Sequence, residues 1–231
     1  MIKNIVNLGD AAIYCDFGIE VNKEINSNVI KYFKELKNKN FKGVTNLSPS
    51  YNKLIITFDL NETSYDDLKQ EILDVNIDEE VKSESQKINI PICCDDEFSL
   101  DIDRIEKKLK ISKSEIINLF LDRTYFCYMT GFVAGMPFLG DIDNKIQLNR
   151  LETPRVKVPK GAVGLTEQFC NIYTFESPGG WNIIGSTPKN IFNPKEKIKP
   201  NLISPGDEII FYEINKKEYL KLYEQWLFQG N

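Results

Sequence analysis

The 231-residue chain contains no histidine. That absence removes Ser-His-Asp and Cys-His catalysis together with His-ligated metal sites, and no metal is expected. Cysteine is sparse. Cys15, Cys93, Cys94, Cys127 and Cys170 form no CxxC pair. Vicinal Cys93 and Cys94 suit a disulfide poorly, because adjacent residues strain the ring. An odd and dilute set of thiols points to a reducing cytoplasm. No apolar run reaches the roughly 18 residues of a membrane span, and MIKNIVNLGDAAIYCDFG lacks the long apolar stretch of a secretory leader. The net charge is −5 with both signs interspersed, so no basic face for nucleic acid is expected. Neither G-x-x-x-x-G-K-[ST] nor G-x-G-x-x-G occurs, so the chain carries no recognisable nucleotide cradle.

What is present is an ordinary apolar fraction, 42%, enough to build one large core or two small ones. The expected class is α+β. Residues 1–85 read as a small α/β domain. AAIYCDF (Ala11 to Phe17) is strand-like, and residues 22–38 carry Ile25, Val29, Ile30, Phe33 and Leu36 at helical spacing. VTNLSPSY leads into a half-buried strand over 53–60. Ser64 then caps a helix whose first turn holds Asp66 and Asp67. DEEVKSESQKI (78–88) reads as a linker. Residues 86–231 open on a strand, INIPICC, followed by two short helices, the first capped by Ser99 and the second by the Ser112/Glu115 capping box. Asp95-Asp96-Glu97 stands ahead of the first helix as a dipole partner. From Gly131 to Phe211, short apolar runs separated by Gly and Pro predict an all-β barrel or sandwich. The tail forms an amphipathic helix with Tyr219, Leu220, Tyr223, Trp226 and Leu227, which either packs back on the barrel or docks a partner.

Three segments carry candidate chemistry. Arg150 and Arg155 flank LETP in a stretch too irregular for a helix. Two guanidiniums on a rigid loop can clamp a carboxylate bidentately or salt-bridge their own surface. In FESPGGWNIIGSTP (175–188), Glu176 and Ser177 precede Pro178-Gly179-Gly180-Trp181. The glycines mark a turn, since Gly tolerates φ > 0. Trp181 either packs into the core or faces a ligand. Glu176 either caps the turn or, beside an apolar ring, acts as a general acid or base with a raised pKa. GFVAGMPFLGD (131–141), with Phe138, offers exposed backbone and rings for a shallow pocket. VPKGAVG (158–164) reads as a barrel turn.

These segments, in this order, resemble the family that includes the B-type subunit of 5-oxoprolinase, the KipI-type sensor-kinase inhibitors and the first subunit of allophanate hydrolases. The family pattern, roughly GFxPGFPYLGG, PRxxVPxGSVG and SPGGWxxxGRTPxxLF, stands here as GFVAGMPFLGD, PRVKVPKGAVG and SPGGWNIIGSTPKNIF. LGDAAIYCDFG, GVTNLSPSYNKLIITFD and PGDEIIF extend the likeness over nearly the whole chain. The resemblance implies a small α/β domain followed by a cyclophilin-like β-barrel. It implies one half of an ATP-dependent lactam hydrolase that opens 5-oxoproline to glutamate. The partner would resemble the C-type subunit of 5-oxoprolinase, possibly joined by a third protein. The alternative it implies is a regulator that docks on a histidine kinase. Glu176, Ser177, Gly179, Gly180, Trp181, Arg150, Arg155, Thr187 and Phe138 match positions implied to line the ligand or partner surface, with Glu176 as the catalytic group. The chain departs from the pattern at Phe120 for His, at Phe169-Cys170-Asn171 for Gln-Thr-Gly, at Ser186 for Arg, and at Ala134 and Met136 for Pro and Phe.

Overall fold

A computed structural model describes residues 1–76 and 85–229. The predicted linker residues 78–84 lie outside this described part, as does the side chain of Leu227. The chain divides into two compact units, Met1–Glu84 and Ser85–Asn231.

The first unit is a four-stranded antiparallel sheet with two helices. Its elements are β1 (Asn4–Asn7), β2 (Ala12–Asp16), α1 (Lys23–Lys39), β3 (Val44–Pro49), β4 (Lys53–Phe58) and α2 (Tyr65–Leu73), in sheet order β1-β2-β4-β3. Both helices begin where polar caps stand. Asn22 Oδ1 accepts from the Ile25 N–H, and Ser64 Oγ from the Asp67 N–H. Val29, Ile30 and Leu36 of α1 are buried, as the 3.6-residue spacing requires. VTNLSP, read as a lead-in, is itself strand β3, and β1 pairs with β2 although its sequence alternates poorly. Sheet pairing overrides local preference at both places.

The second unit is built on a seven-stranded sheet. It comprises β5 (Lys87–Ile92), α3 (Ile102–Leu109), α4 (Lys113–Leu121), β6 (Thr124–Thr130), β7 (Pro137–Gly140), β8 (Arg155–Val158), β9 (Ala162–Thr166), β10 (Phe169–Ile172), β11 (Ser177–Gly179), β12 (Asn182–Ser186), β13 (Glu208–Glu213) and α5 (Lys216–Gln229). The order is β12-β9-β10-β7-β6-β13-β5, with β8 and β11 forming a separate ribbon. The sheet curls until its edges meet. Cys93, just past β5, and Ser186, in β12, exchange backbone hydrogen bonds of 2.8 and 3.0 Å. Closure removes the unpaired strand edge there, which would otherwise template association. Inside lie Ile90, Ile92, Val163, Leu165, Cys170, Ile172 and Ile184, with Ile105 of α3 and Ile116 and Phe120 of α4.

Two expected caps differ. Ser112 accepts from the Glu115 N–H as the capping box predicts. Ser99 does not cap α3; its hydroxyl bonds the Cys94 and Asp95 carbonyls, and the cap position falls to Asp101, which makes no side-chain cap bond. The Asp101 carboxylate is already committed elsewhere. Asp95 serves the start of α5, accepting from the Lys216 N–H, while Asp96 and Glu97 pair with Lys113 and Lys216. The acidic triplet ahead of α3 therefore ties α4 and α5. Among the described residues no helix is long and apolar enough to cross a membrane.

Candidate functional site

Strands β9 and β10 pair antiparallel, with Asn171 opposite Gly164. Side chains alternate across a sheet, so Val163, Leu165, Cys170 and Ile172 enter the core while Gly164, Asn171 and, just past the strand, Tyr173 face the other side. On that side Met136, Val158, Ala162, Tyr173 and Ile183 form a small apolar cluster, joined by Phe138. Within it sits polar equipment. Asn171 is buried, its amide N–H reaching Met136 Sδ at 3.4 Å, and its Oδ1 has no hydrogen-bond partner. Burial pushes the Tyr173 phenol up, against an Asn171 hydrogen bond, the positive charge of Arg150, the Trp181 backbone N–H and the charge of Arg155.

The Pro-Gly-Gly segment has a different purpose from the one its sequence suggests. Gly179 and Gly180 are absent from the positive-φ residues, so no left-handed turn requires them. Ser177–Gly179 is a strand, pairing Ser177 with Val158 and Gly179 with Arg155. The first glycine makes room, because a Cβ there would collide with the Tyr173 hydroxyl. Gly180 is less confined, with the Arg150 guanidinium 3.5 Å from the position of a Cβ, and its carbonyl accepts from the Leu151 N–H at 2.7 Å. Trp181 is buried and meets Phe138 edge to face at 5.6 Å.

The arginines differ from each other. Arg155 Nη2 donates to buried Asp101 at 2.6 Å across 54 residues of sequence. The second Asp101 oxygen accepts from the Ile183 N–H at 2.7 Å, and Arg104 approaches the first at 3.6 Å. Arg104 also bonds Asn182, whose amide donates to the Asn149 and Leu165 carbonyls. Arg155 Nη1 is buried without a partner. Arg150 is exposed, with no hydrogen bond or ion pair among the described residues. Two guanidiniums, of Arg155 and Arg104, thus share the Asp101 carboxylate, and a third, of Arg150, lies by Gly180 with none, an excess of positive charge that favours an anion.

Of the residues singled out in the sequence, Arg150, Arg155, Phe138, Gly179, Gly180 and Trp181 gather here. Ser177 is buried in the ribbon, its hydroxyl near the Phe175 carbonyl at 3.4 Å. Glu176 is not desolvated against a ring. Its carboxylate is 57% exposed and pairs with Lys157 at 2.9 Å. Thr187 is buried at a separate cleft, accepting from the Lys189 N–H. Of the departures from the family pattern, Asn171 and Met136 lie in this cluster, whereas Phe120 and Ser186 fall elsewhere. Phe120 packs its ring on Tyr125 and Phe211 inside the core, and the Ser186 hydroxyl meets Tyr219 at the sheet closure. Asn171, Tyr173, Asp101, Arg104 and Asn182 were not anticipated. DIDR reads as a helix start, and only the fold brings its Asp101 to Arg155.

A family model, carboxyltransferase domain, subdomain C and D, matches residues 3–203. The chain is 30% identical to the B-type subunit of 5-oxoprolinase from Bacillus subtilis (strain 168), over 93% of this chain and 94% of that protein. The crystal structure of TTHA0988 superposes with a TM-score of 0.78 at 26% identity, over 89% of this chain but only 40% of that one. A conserved uncharacterized protein, PH0987 from Pyrococcus horikoshii, is 33% identical over 94% of this chain and the whole of its own, with a TM-score of 0.56. The chain therefore belongs to the family of carboxyltransferase subdomains C and D, among relatives named as B-type subunits of 5-oxoprolinase.

Proposed function

We propose that this chain is one component of an ATP-dependent, lactam-opening hydrolase resembling 5-oxoprolinase, active only with a partner resembling the C-type subunit of 5-oxoprolinase and possibly a third protein. One observation carries this reading: the buried, unpartnered Nη1 of Arg155 together with the unpaired Arg150, both charges being felt by the Tyr173 phenol. Such a pair is suited to hold the carboxylate of a small cyclic amino acid. Asp101 orients Arg155, and Gly179 and Trp181 shape the wall. Glu176, exposed and paired with Lys157, is assigned to the rim rather than to proton transfer. We read the closed sheet as the cyclophilin-like barrel the resemblance implies, the two units as domains 1–85 and 86–231, and the free, buried thiols as fitting a cytoplasmic protein.

The chemistry explains why a partner is needed. An amide carbonyl is a poor electrophile. Transfer of a phosphoryl group from ATP to its oxygen releases ADP and activates the carbon. Water then adds, the C–N bond breaks with a proton going to nitrogen, and a second water releases phosphate, leaving glutamate. This chain has no nucleotide cradle, so the partners are assigned the ATP.

The test is ADP release by this chain mixed with candidate partner subunits, with and without 5-oxoproline. Release that needs both 5-oxoproline and this chain is expected, with Arg150→Ala and Arg155→Ala each reducing it. Full activity of both variants, or activity without this chain, overturns the reading. A second reading, docking on a histidine kinase, is favoured by large exposed apolar side chains, Phe132 at 71% and Val156 at 81%. Slowed kinase autophosphorylation with no dependence of ADP release on this chain would select it.

A further inference from the structure

A second cleft, of about 250 Å³, opens between the turn at Lys160-Gly161, the segment from Thr187 to Ile191, and α5. Turn and segment are closely apposed. Gly161, at φ +88°, lies so near the Thr187 carbonyl that a Cβ would collide with it. Among the described residues no carboxylate lines this cleft, yet two lysines do. Lys160 Nζ bonds Asn190 Oδ1 at 3.0 Å, and Lys189 Nζ reaches the Asn89 carbonyl at 3.4 Å. Neither forms an ion pair among the described residues. Burial pulls the Lys189 ammonium below its ordinary range, a cost that a nearby anion would relieve. Aromatic side chains of α5 line the same cleft: Tyr223, stacked on Tyr219 at 6.2 Å, and Trp226.

Two lysines without ion pairs and two rings lining one cleft, in a protein of net charge −5, select for charge and shape together. The volume sits just under the roughly 300–1,000 Å³ of drug-sized sites, which suits one ring rather than a whole nucleotide. We propose that this cleft binds a small flat anion, a single aromatic or heterocyclic ring bearing one carboxylate or phosphate. Lys160 and Lys189 hold the head group and Tyr223 and Trp226 hold the ring. Sequence reading took Lys160 for part of a plain turn, and the arginine cluster shares only Tyr173 with this cleft.

The chain has two tryptophans, one at each site, so fluorine NMR of 5-fluorotryptophan-labelled protein reads the sites separately. Trp226→Phe assigns the resonances. Benzoate and phenyl phosphate are expected to move the Trp226 resonance along a saturable curve, and whichever binds more tightly identifies the head group. Acetate and benzyl alcohol, each supplying half the ligand, should bind at least about tenfold more weakly. The double variant Lys160→Met/Lys189→Met should weaken the response by about tenfold or more, with the Trp181 resonance unchanged as the sign of an intact fold. A Trp226 resonance unmoved by both anions at about 20 mM, or a response undiminished in the double variant, overturns the proposal. 5-Oxoproline is titrated separately. A response confined to Trp181 supports the arginine site, and with the cleft silent to both ring anions it overturns the cleft proposal alone.

Discussion

The two faces of β9 and β10 are both buried, and they are built on opposite principles. The inner face, Val163, Leu165, Cys170 and Ile172, is aliphatic and thiol packing with nothing left to satisfy. The outer face carries Gly164, Asn171 and Tyr173 and adjoins the Asp101–Arg155 network, where Arg155 Nη1 and Asn171 Oδ1 lack partners. Burying a polar group without a partner costs free energy, so a fold selected for stability alone would fill such places with apolar atoms. The contrast teaches that the inner face makes the core of the curled sheet and the outer face is arranged to meet something else.

The largest expected effect comes from pH, and it belongs to the inner face. Burial raises the thiol of Cys94 to about 12, and pushes Cys127, Cys170 and the Tyr125 phenol up as well. The native state keeps protons that the unfolded chain releases above roughly pH 8.5 for thiols and 10 for phenols. Stability is therefore full below that range and falls as pH rises through it. Circular dichroism should show cooperative alkaline unfolding coincident with thiolate absorbance. Thiolate absorbance rising near pH 9 with the fold intact would show the inner face is not sealed.

Next come single truncations that set the faces against each other. Ile172→Ala should cost about 3 kcal/mol in urea denaturation through cavity formation alone. Asp101→Ala should cost a similar amount, about 3 kcal/mol, by stranding Arg155. Only the second should also weaken anion binding near Trp181. Equal loss of binding in both would erase the distinction between packing and site. A smaller effect separates the two glycines. Gly179→Ala meets the Tyr173 hydroxyl and should destabilise by about 1–3 kcal/mol, whereas Gly180→Ala, with its nearest atom at 3.5 Å, should stay within about 0.5 kcal/mol. A small net change is also expected at Asn171→Leu. Replacing a buried amide whose oxygen is unsatisfied offsets the loss of its hydrogen bond to Tyr173, so the change should stay within about 1 kcal/mol. A clear loss of thermal stability would mean that the amide is satisfied in solution.

Much of the fold was legible because its signals are local. Asn22, Ser64 and Ser112 stand at helix starts, and the apolar spacing of α1 and the alternation of KLIITF carry over directly into buried faces. β1 and β3 were missed because their pairing, rather than their composition, makes them strands. At the candidate site the legible part was the loop chemistry: Arg150, Arg155, the Pro-Gly-Gly segment and Trp181. The reason for Gly179 was misread, since close approach to Tyr173 and a left-handed turn demand the same residue and leave the same trace in sequence.

The sequence by itself determined the residue types: no histidine, a dilute set of thiols, paired arginines and an ordered set of glycine-rich motifs. Those depend on which side chains exist and on neighbours a few residues away. Tertiary structure alone decided that Asp101 holds Arg155, that Glu176 stays in solvent against Lys157, and that Lys160 and Lys189 line one cleft with the rings of α5. Each of these is a contact between segments distant in the chain, fixed by how the sheet curls and closes at Cys93 and Ser186, and no local periodicity records it.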